Sequence, residues 1–285
     1  MSGQPDRAQQ DRAQQDEAHQ DQARHTPQKS LAYRVGQPIT RAWFRGLHGV
    51  HWLHPERVPA TGPLLVVANH QSYYDPPLIG GGITTRPLDY LARAGLFKNP
   101  LFGRFISTFN AFPIKEDSGD RAALEAVIGR LEAGGAVLLF PEGRRTRDGH
   151  VEPFKRGMAL ILRRARCPVL PVAIDGVYDV FPPGRGRPSF FRGPIGVHYG
   201  KPIAHGDLPR DPADMLAMLH DEIAAQRLLL RLELLKKSGG HFPAPLPPRT
   251  PPAVDGPPPM VDPSPPAVDG TQTMVDHAPP AVDRM

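Results

Sequence analysis

Three features of this sequence predict an α/β domain. Short apolar runs bounded by Gly and Pro, such as Leu64-Leu65-Val66-Val67-Ala68 after Gly62-Pro63, read as buried strands. Between them lie stretches with apolar residues at helical spacing, clearest at Leu124, Val127, Ile128 and Leu131. The two ends are repetitive, polar or proline-rich, and carry little to bury, which confines the fold to one domain over residues 31–238.

The N-terminal segment, residues 1–30, repeats Asp6-Arg7-Ala8-Gln9-Gln10 as Asp11-Arg12-Ala13-Gln14-Gln15. A five-residue period matches neither helix nor heptad, so disorder is expected. The C-terminal segment, residues 239–285, repeats Pro251-Pro252-Ala253-Val254-Asp255-Gly256 at Pro265 and, in part, at Pro279. It reads as disordered polyproline-type sequence, either a spacer or a partner-binding tail.

The formal net charge is +5 and the isoelectric point about 9.5, a balance that suits nucleic acid, anionic lipid or a phosphorylated substrate alike. No nucleic-acid motif is present, and outside residues 31–54 few aromatics alternate with the basic clusters, so nucleic acid is not expected as a partner. The single cysteine, Cys167, excludes an intramolecular disulfide and accords with a reducing compartment. No run approaches the roughly 18 apolar residues of a spanning helix, and Met1-Ser2-Gly3-Gln4 lacks the basic and apolar regions of a secretory signal. The expected location is therefore cytoplasmic, peripheral on the inner face of the cell membrane.

Residues 31–54 mix Leu31, Val35, Ile39, Trp43 and Phe44 with Arg34, Arg41, Arg45 and several histidines. This pattern reads as an amphipathic helix that either lies at a bilayer interface or packs on the core with a solvated basic face. The histidines lack a clear fourth ligand, so no metal site is expected. Further strands are expected at Leu88–Ala92, Ala111–Lys115, Ala136–Phe140, Pro168–Ile174 and Ile195–Gly200. Helices are expected from about Pro100 to Phe109, from Ser118 to Gly134, from Gly157 to about Arg166 and from Pro212 to Lys237. Residues 182–194, rich in Pro, Gly and Arg with Phe190-Phe191, read as an exposed loop: an insertion or a membrane-contacting element.

The chemistry centres on Asn69-His70-Gln71-Ser72-Tyr73-Tyr74-Asp75. His70 should sit where a strand leaves the sheet and Asp75 where the next helix starts, because Pro76-Pro77 suits a first helical turn. Ligands of α/β sheets bind at that end. A carboxylate across a turn from an imidazole fixes its tautomer and stabilises the imidazolium, which makes a general base. A second turn follows a later strand, Phe140-Pro141-Glu142-Gly143-Arg144-Arg145-Thr146. Arginine there can hold a phosphate through two parallel N–H bonds. Ser72 has no nucleophile elbow around it, and Cys167 precedes a buried strand, so neither is expected to carry a covalent acyl group.

Taken in order, the heptapeptide, Phe112-Pro113-Ile114-Lys115, the Phe140–Thr146 turn and Val169-Leu170-Pro171-Val172-Ala173-Ile174 resemble the glycerolipid acyltransferases of the 1-acylglycerol-3-phosphate acyltransferase family. The resemblance covers roughly residues 40–235. It implies a single acyltransferase domain with a mostly parallel sheet flanked by helices. The implied reaction moves an acyl group from acyl-CoA or acyl carrier protein to the hydroxyl of lysophosphatidic acid, and since no metal or redox cofactor motif is visible in the sequence, no cofactor is expected. It also implies His70 and Asp75 as the catalytic pair, Glu142, Gly143 and Arg145 at the acceptor, and Lys115 and Arg144 at its phosphate. Two positions depart from the family pattern: Lys115 stands where arginine is usual, and Arg144 where threonine is usual. These changes bear on the acceptor more than on the chemistry, and leave open another lysophospholipid or a non-glycerol alcohol. A reading from another class, a non-catalytic basic membrane-surface or nucleic-acid-binding module, lacks a motif of its own.

Overall fold

The computed structural model describes residues 31–114 and 119–248. The chain enters through helix α1 (Leu31–His48) and a short strand β1 (His51–Leu53). It continues through β2 (Leu64–Ala68), α2 (Asp75–Gly82), β3 (Asp89–Arg93), α3 (Pro100–Thr108) and β4 (Ala111–Ile114). Then come α4 (Gly119–Glu132), β5 (Ala136–Leu139), α5 (Gly157–Ala165) and β6 (Val169–Asp175). The short α6 (Val177–Val180), β7 (Gly196–Tyr199) and the long α7 (Pro212–Lys237) complete it.

The described strands form one seven-stranded sheet in the order β1-β7-β6-β2-β5-β3-β4. All neighbours are parallel except β6 and β7. The architecture is thus the mostly parallel α/β sheet that the alternating strands and helices predict. Every residue of β2, β5 and β6 is buried, as continuous apolar strands in a parallel sheet require. Leu64, Val66 and Ala68 face a core shared with Phe44 of α1 and Leu78 and Ile79 of α2. Leu65 and Val67 face the opposite core, closed by Val127 and Leu131 of α4, Met158 and Leu162 of α5, and Leu219 and Ile223 of α7.

Local chemistry explains where the helices begin and meet. Asp211 caps α7 by accepting the N–H groups of Ala213 and Asp214 at 2.8 and 3.1 Å. The three glycines ending α2 let side chains of β1, β3 and β7 close on it. A Cβ on Gly80 would strike the Tyr90 hydroxyl, and one on Gly82 the Tyr199 hydroxyl and the Trp52 ring. The carbonyls of this glycine run accept from α1: Gln37 Nε2 donates to Gly80 O at 2.8 Å, and Arg41 to Gly81 O at 3.1 Å.

Three departures from the sequence reading concern this frame. The amphipathic helix stops at His48, because Gly49 turns to a φ of 54°, and His51–Leu53 pairs as a strand with β7. Three residues are too few to show a period of their own. The four-residue α6 goes unseen for the same reason. The folded domain also does not end at 238. Phe242 is buried against the core that holds Val177 and Val180, and Arg231 donates to Ala244 O. A lone aromatic among prolines gives no periodic signal, yet it fills the space left by Gly176 and Gly193. Residues 1–30, residues 115–118 with Lys115 and Ser118, and residues beyond 248 lie outside the described residues. No helix among the described residues is long and apolar enough to cross a membrane.

Candidate active site

Two turns leave adjacent parallel strands at the same end of the sheet. Val67 of β2 is in register with Leu139 of β5, so Asn69-His70 and Phe140-Pro141 emerge side by side. On the other flank, Asn69 locks the end of β2 to β6: its side chain donates to Ile174 O at 3.0 Å and accepts from Ile174 N at 2.8 Å.

Asp75 is fully buried at the first turn of α2. Its Oδ2 lies 2.8 Å from His70 Nδ1 and also accepts the backbone N–H groups of Gln71 and Ser72, at 2.5 and 2.8 Å. A carboxylate oxygen only accepts, so the proton of a neutral His70 sits on Nδ1 and leaves a lone pair on Nε2. The imidazole is stacked on Phe140, with centroids 3.9 Å apart and planes 16° from parallel. Its side chain keeps 18% exposure, and Nε2 has no hydrogen-bond partner among the described residues. A ring fixed on one face, tethered at Nδ1 and open at Nε2 can accept a proton from a group presented at the sheet's end.

The second turn grips the backbone of His70 from both sides. Glu142 Oε1 accepts the His70 N–H at 2.9 Å, and the Thr146 N–H donates to the His70 carbonyl at 2.7 Å. The Glu142 carboxyl is buried and its pKa is pushed up to about 8, chiefly by desolvation, with the nearby Asp75 and Glu152 charges adding to it. The sequence reading placed Glu142 at the acceptor. In the structure its carboxyl faces inward and holds the histidine's main chain. Thr146, buried beside it, accepts the Gly149 N–H at 3.1 Å, which fixes the rest of the turn.

Gly143 adopts a φ of 68°, closing the turn with its N–H on Phe140 O at 3.0 Å. The Lys155 side chain lies directly over it: a Cβ on Gly143 would come within 2.5 Å of Lys155 Cε and 2.7 Å of Nζ. Arg145 stacks on Tyr73, its guanidinium carbon 3.6 Å from the ring centroid. Neither Arg145 nor Lys155 has a carboxylate partner among the described residues, so the two turns carry one cation over Tyr73 of the His70 turn and one over Gly143 of the second turn. Arg144 points elsewhere, with Nη2 at 3.5 Å from Glu152 Oε2. The sequence grouped Arg144 with the phosphate ligands, but the structure pairs it with a carboxylate. Lys115 lies outside the described residues. The strand before it, β4, ends at the same end of the sheet as β2 and β5.

A buried polar network behind the site was not legible in sequence. Asp175, at the end of β6, takes Arg227 Nε and Nη2 at 3.0 and 2.9 Å and Arg231 Nη1 at 2.9 Å. Gln71 reaches it at 3.4 Å and accepts the Tyr178 N–H at 3.2 Å, which ties the His70 turn to α7. The two nucleophile candidates are occupied or inert. Ser72 Oγ donates to Phe181 O at 2.7 Å, and burial raises the Cys167 thiol to about 11. Among the described residues no group of three or more His, Cys, Asp or Glu side chains could hold a metal ion.

An acyltransferase family model matches residues 50–175, from β1 to the end of β6. The 1-acyl-sn-glycerol-3-phosphate acyltransferase of Bacillus subtilis is 27% identical over 180 residues, covering 63% of this chain and 86% of that protein. The lyso-ornithine lipid O-acyltransferase of Pseudomonas aeruginosa is 32% identical over 157 residues, 52% of this chain and 58% of its own length. Among solved structures, the 1-acyl-sn-glycerophosphate acyltransferase PlsC of Thermotoga maritima superposes with a TM-score of 0.59 at 28% identity, covering 68% of this chain and 77% of that one. Fold, turns and relatives together define an acyltransferase. More narrowly, its likeness is to the PlsC-like 1-acylglycerol-3-phosphate acyltransferases.

Proposed function

We propose that this protein transfers a fatty acyl group from acyl-CoA or acyl carrier protein to the free hydroxyl of 1-acyl-glycerol-3-phosphate, giving phosphatidic acid. The observation that carries the reading is the His70–Asp75 pair with Nε2 open, set between turns that carry Arg145 over Tyr73 and Lys155 over Gly143, two cations without a carboxylate partner among the described residues. In this mechanism Nε2 removes the acceptor's hydroxyl proton as the oxygen attacks the thioester carbonyl. The tetrahedral adduct then collapses, breaking the carbon–sulfur bond, and the departing thiolate takes the proton back from the imidazolium. Asp75 stabilises the imidazolium formed between these steps. Such acid–base catalysis contributes about 10²–10⁴-fold.

Arg145 and Lys155 hold the acceptor phosphate, and Lys115, the residue after β4 in the sequence, is assigned to the same phosphate. Gly143 gives the Lys155 stem its passage. Glu142 acts through the His70 backbone as a positioning residue, and Arg144 is secondary.

The membrane face of the enzyme is the outer stripe of α1. Leu31, Val35, Ile39 and Trp43 are exposed at four-residue spacing, and Trp43 meets Phe190 of the 182–194 loop. With Phe191 75% exposed beside arginines 185, 187 and 192, this surface suits an anionic bilayer on the inner face of the cell membrane.

A second acceptor class, another lysophospholipid, is favoured by Arg144 and Lys115 standing where the family pattern differs. The experiment uses purified full-length protein with lysophosphatidic acid, a lysophospholipid panel, and acyl-CoA or acyl carrier protein as donor, beside His70→Ala. Thiol release that requires lysophosphatidic acid and His70 supports the reading. Release with another acceptor alone reassigns the acceptor, and release undiminished in His70→Ala removes the histidine as base.

A further inference from the structure

The C-terminal half of α7 presents an unusual face to solvent. Leu228, Leu229 and Leu232 are 59%, 56% and 55% exposed, while Leu219, Ile223, Leu230 and Leu234 of the same helix are buried. At ~100° per residue, Asp221, Ala225, Leu228, Leu229, Leu232 and Lys236 share one stripe, about 22 Å long at the helical rise. Both ends of the stripe are charged and exposed: Asp221 at its N-terminal end, Lys236 at its C-terminal end. Helix α7 packs on the sheet face opposite α1 and α2, so this stripe is separate from the outer face of α1.

We infer that the stripe is the self-complementary interface of a two-fold dimer, with α7 of a second copy of this chain packed antiparallel against it. An isologous interface demands that if residue i meets residue j, then j also meets i. A two-fold axis between Leu228 and Leu229 meets that demand along the whole stripe. The central leucines then face each other, and Ala225 lies beside Leu232 of the second copy, small against large. Asp221 lies beside Lys236 of the second copy, once at each end. A lipid-facing stripe has no use for the acid, since anionic head groups repel it. The inward side of the same helix carries Arg227 and Arg231, so the interface backs directly onto the side chains that brace Asp175 and the His70 turn.

The test is sedimentation of the full-length protein in detergent-free buffer over a concentration series. The expected result is a concentration-dependent dimer. Asp221→Lys and Lys236→Asp should each raise its Kd by about tenfold, because each creates two like-charge pairs in place of two attractive ones. The Asp221→Lys/Lys236→Asp double variant should return the Kd to within about threefold of the parent, a recovery that misfolding cannot imitate. Leu228→Ser/Leu232→Ser should be monomeric, with a Tm that no longer depends on concentration and matches that of the wild type at dilutions where it is a monomer, since both positions are exposed. A wild-type monomer at every concentration overturns the inference. So does a charge swap without recovery, or a dimer that persists in the double serine variant.

Discussion

Glu142 Oε1 receives the backbone N–H of His70 at 2.9 Å, so the turn after β5 holds the main chain of the turn after β2. At neutral pH the buried carboxyl is largely protonated, because burial raises its pKa from 4.5 to about 8. Glu142→Gln mimics that protonated form, with an acceptor kept toward His70. It should retain activity within about fivefold, whereas Glu142→Ala should lose about 10–100-fold in kcat by leaving a buried N–H unpaired. Because the folded-state pKa lies above the unfolded one, the native state binds the extra proton between them. Stability is therefore full below about pH 4.5 and is lost as pH rises through about 8. Thermal melts from pH 6 to 9 should show a decline in the wild type that exceeds that of Glu142→Gln by at least about 3 °C.

Asp75→Asn keeps an oxygen for the Gln71 and Ser72 N–H groups but removes the charge that faces Nδ1. It should lower kcat by about 10²–10⁴-fold with little change in acceptor KM, and His70→Ala should fall at least as far. Stopped-assay thiol release gives kcat, and circular dichroism checks that both variants remain folded. A change confined to KM would place the pair in acceptor binding.

The cations of the site separate by their present partners. Arg145→Ala and Lys155→Ala should each raise acceptor KM by about tenfold or more with kcat nearly constant. Arg144→Ala should change it less than about threefold, since Arg144 already meets Glu152. Gly143→Ala combines strain at a φ of 68° with displacement of Lys155, so it should cost stability by about 1–2 kcal/mol and also raise KM. Steady-state kinetics over an acceptor series and denaturant melts read both.

His48 is buried among Trp43, Phe44, Tyr74 and Phe190, and neither ring nitrogen has a hydrogen-bond partner among the described residues. Burial lowers its pKa below the usual 6.5. The unfolded chain therefore binds a proton that the native state refuses, so stability is full above about pH 6.5 and falls as pH drops. His48→Phe should raise Tm, and its advantage over wild type should widen between pH 7 and pH 5. A constant difference across that range would mean that His48 does not titrate in unfolding.

Phe190 and Phe191 decide whether the 182–194 loop is a bare insertion or part of the membrane face, two readings the sequence leaves open. Phe190→Ser/Phe191→Ser should lower partitioning to anionic vesicles by about tenfold while leaving turnover of a soluble short-chain acceptor unchanged. Equal partitioning in a flotation assay would make the loop an insertion alone.

The local chemistry of this chain was legible in its sequence. Apolar runs long enough to be buried on both faces specify the central strands, and Pro76-Pro77 starts α2 with Asp75 in its first turn. The five-residue separation of His70 and Asp75 then makes their meeting a matter of one turn. What depends on which strands become neighbours was not legible. Parallel pairing of β2 with β5 brings Glu142 under the His70 backbone, and Lys155, which the sequence places just after the second turn as a residue shaping the site, proves to cross directly over Gly143. Strand β1, the Asp175–Arg227 network and the burial of Phe242 likewise rest on contacts between segments far apart in the chain. A sequence records spacing along one dimension, so it determines what a single turn can close. Only packing in three dimensions decides which carboxyl is desolvated, which arginine is already paired and which cation is left for a substrate.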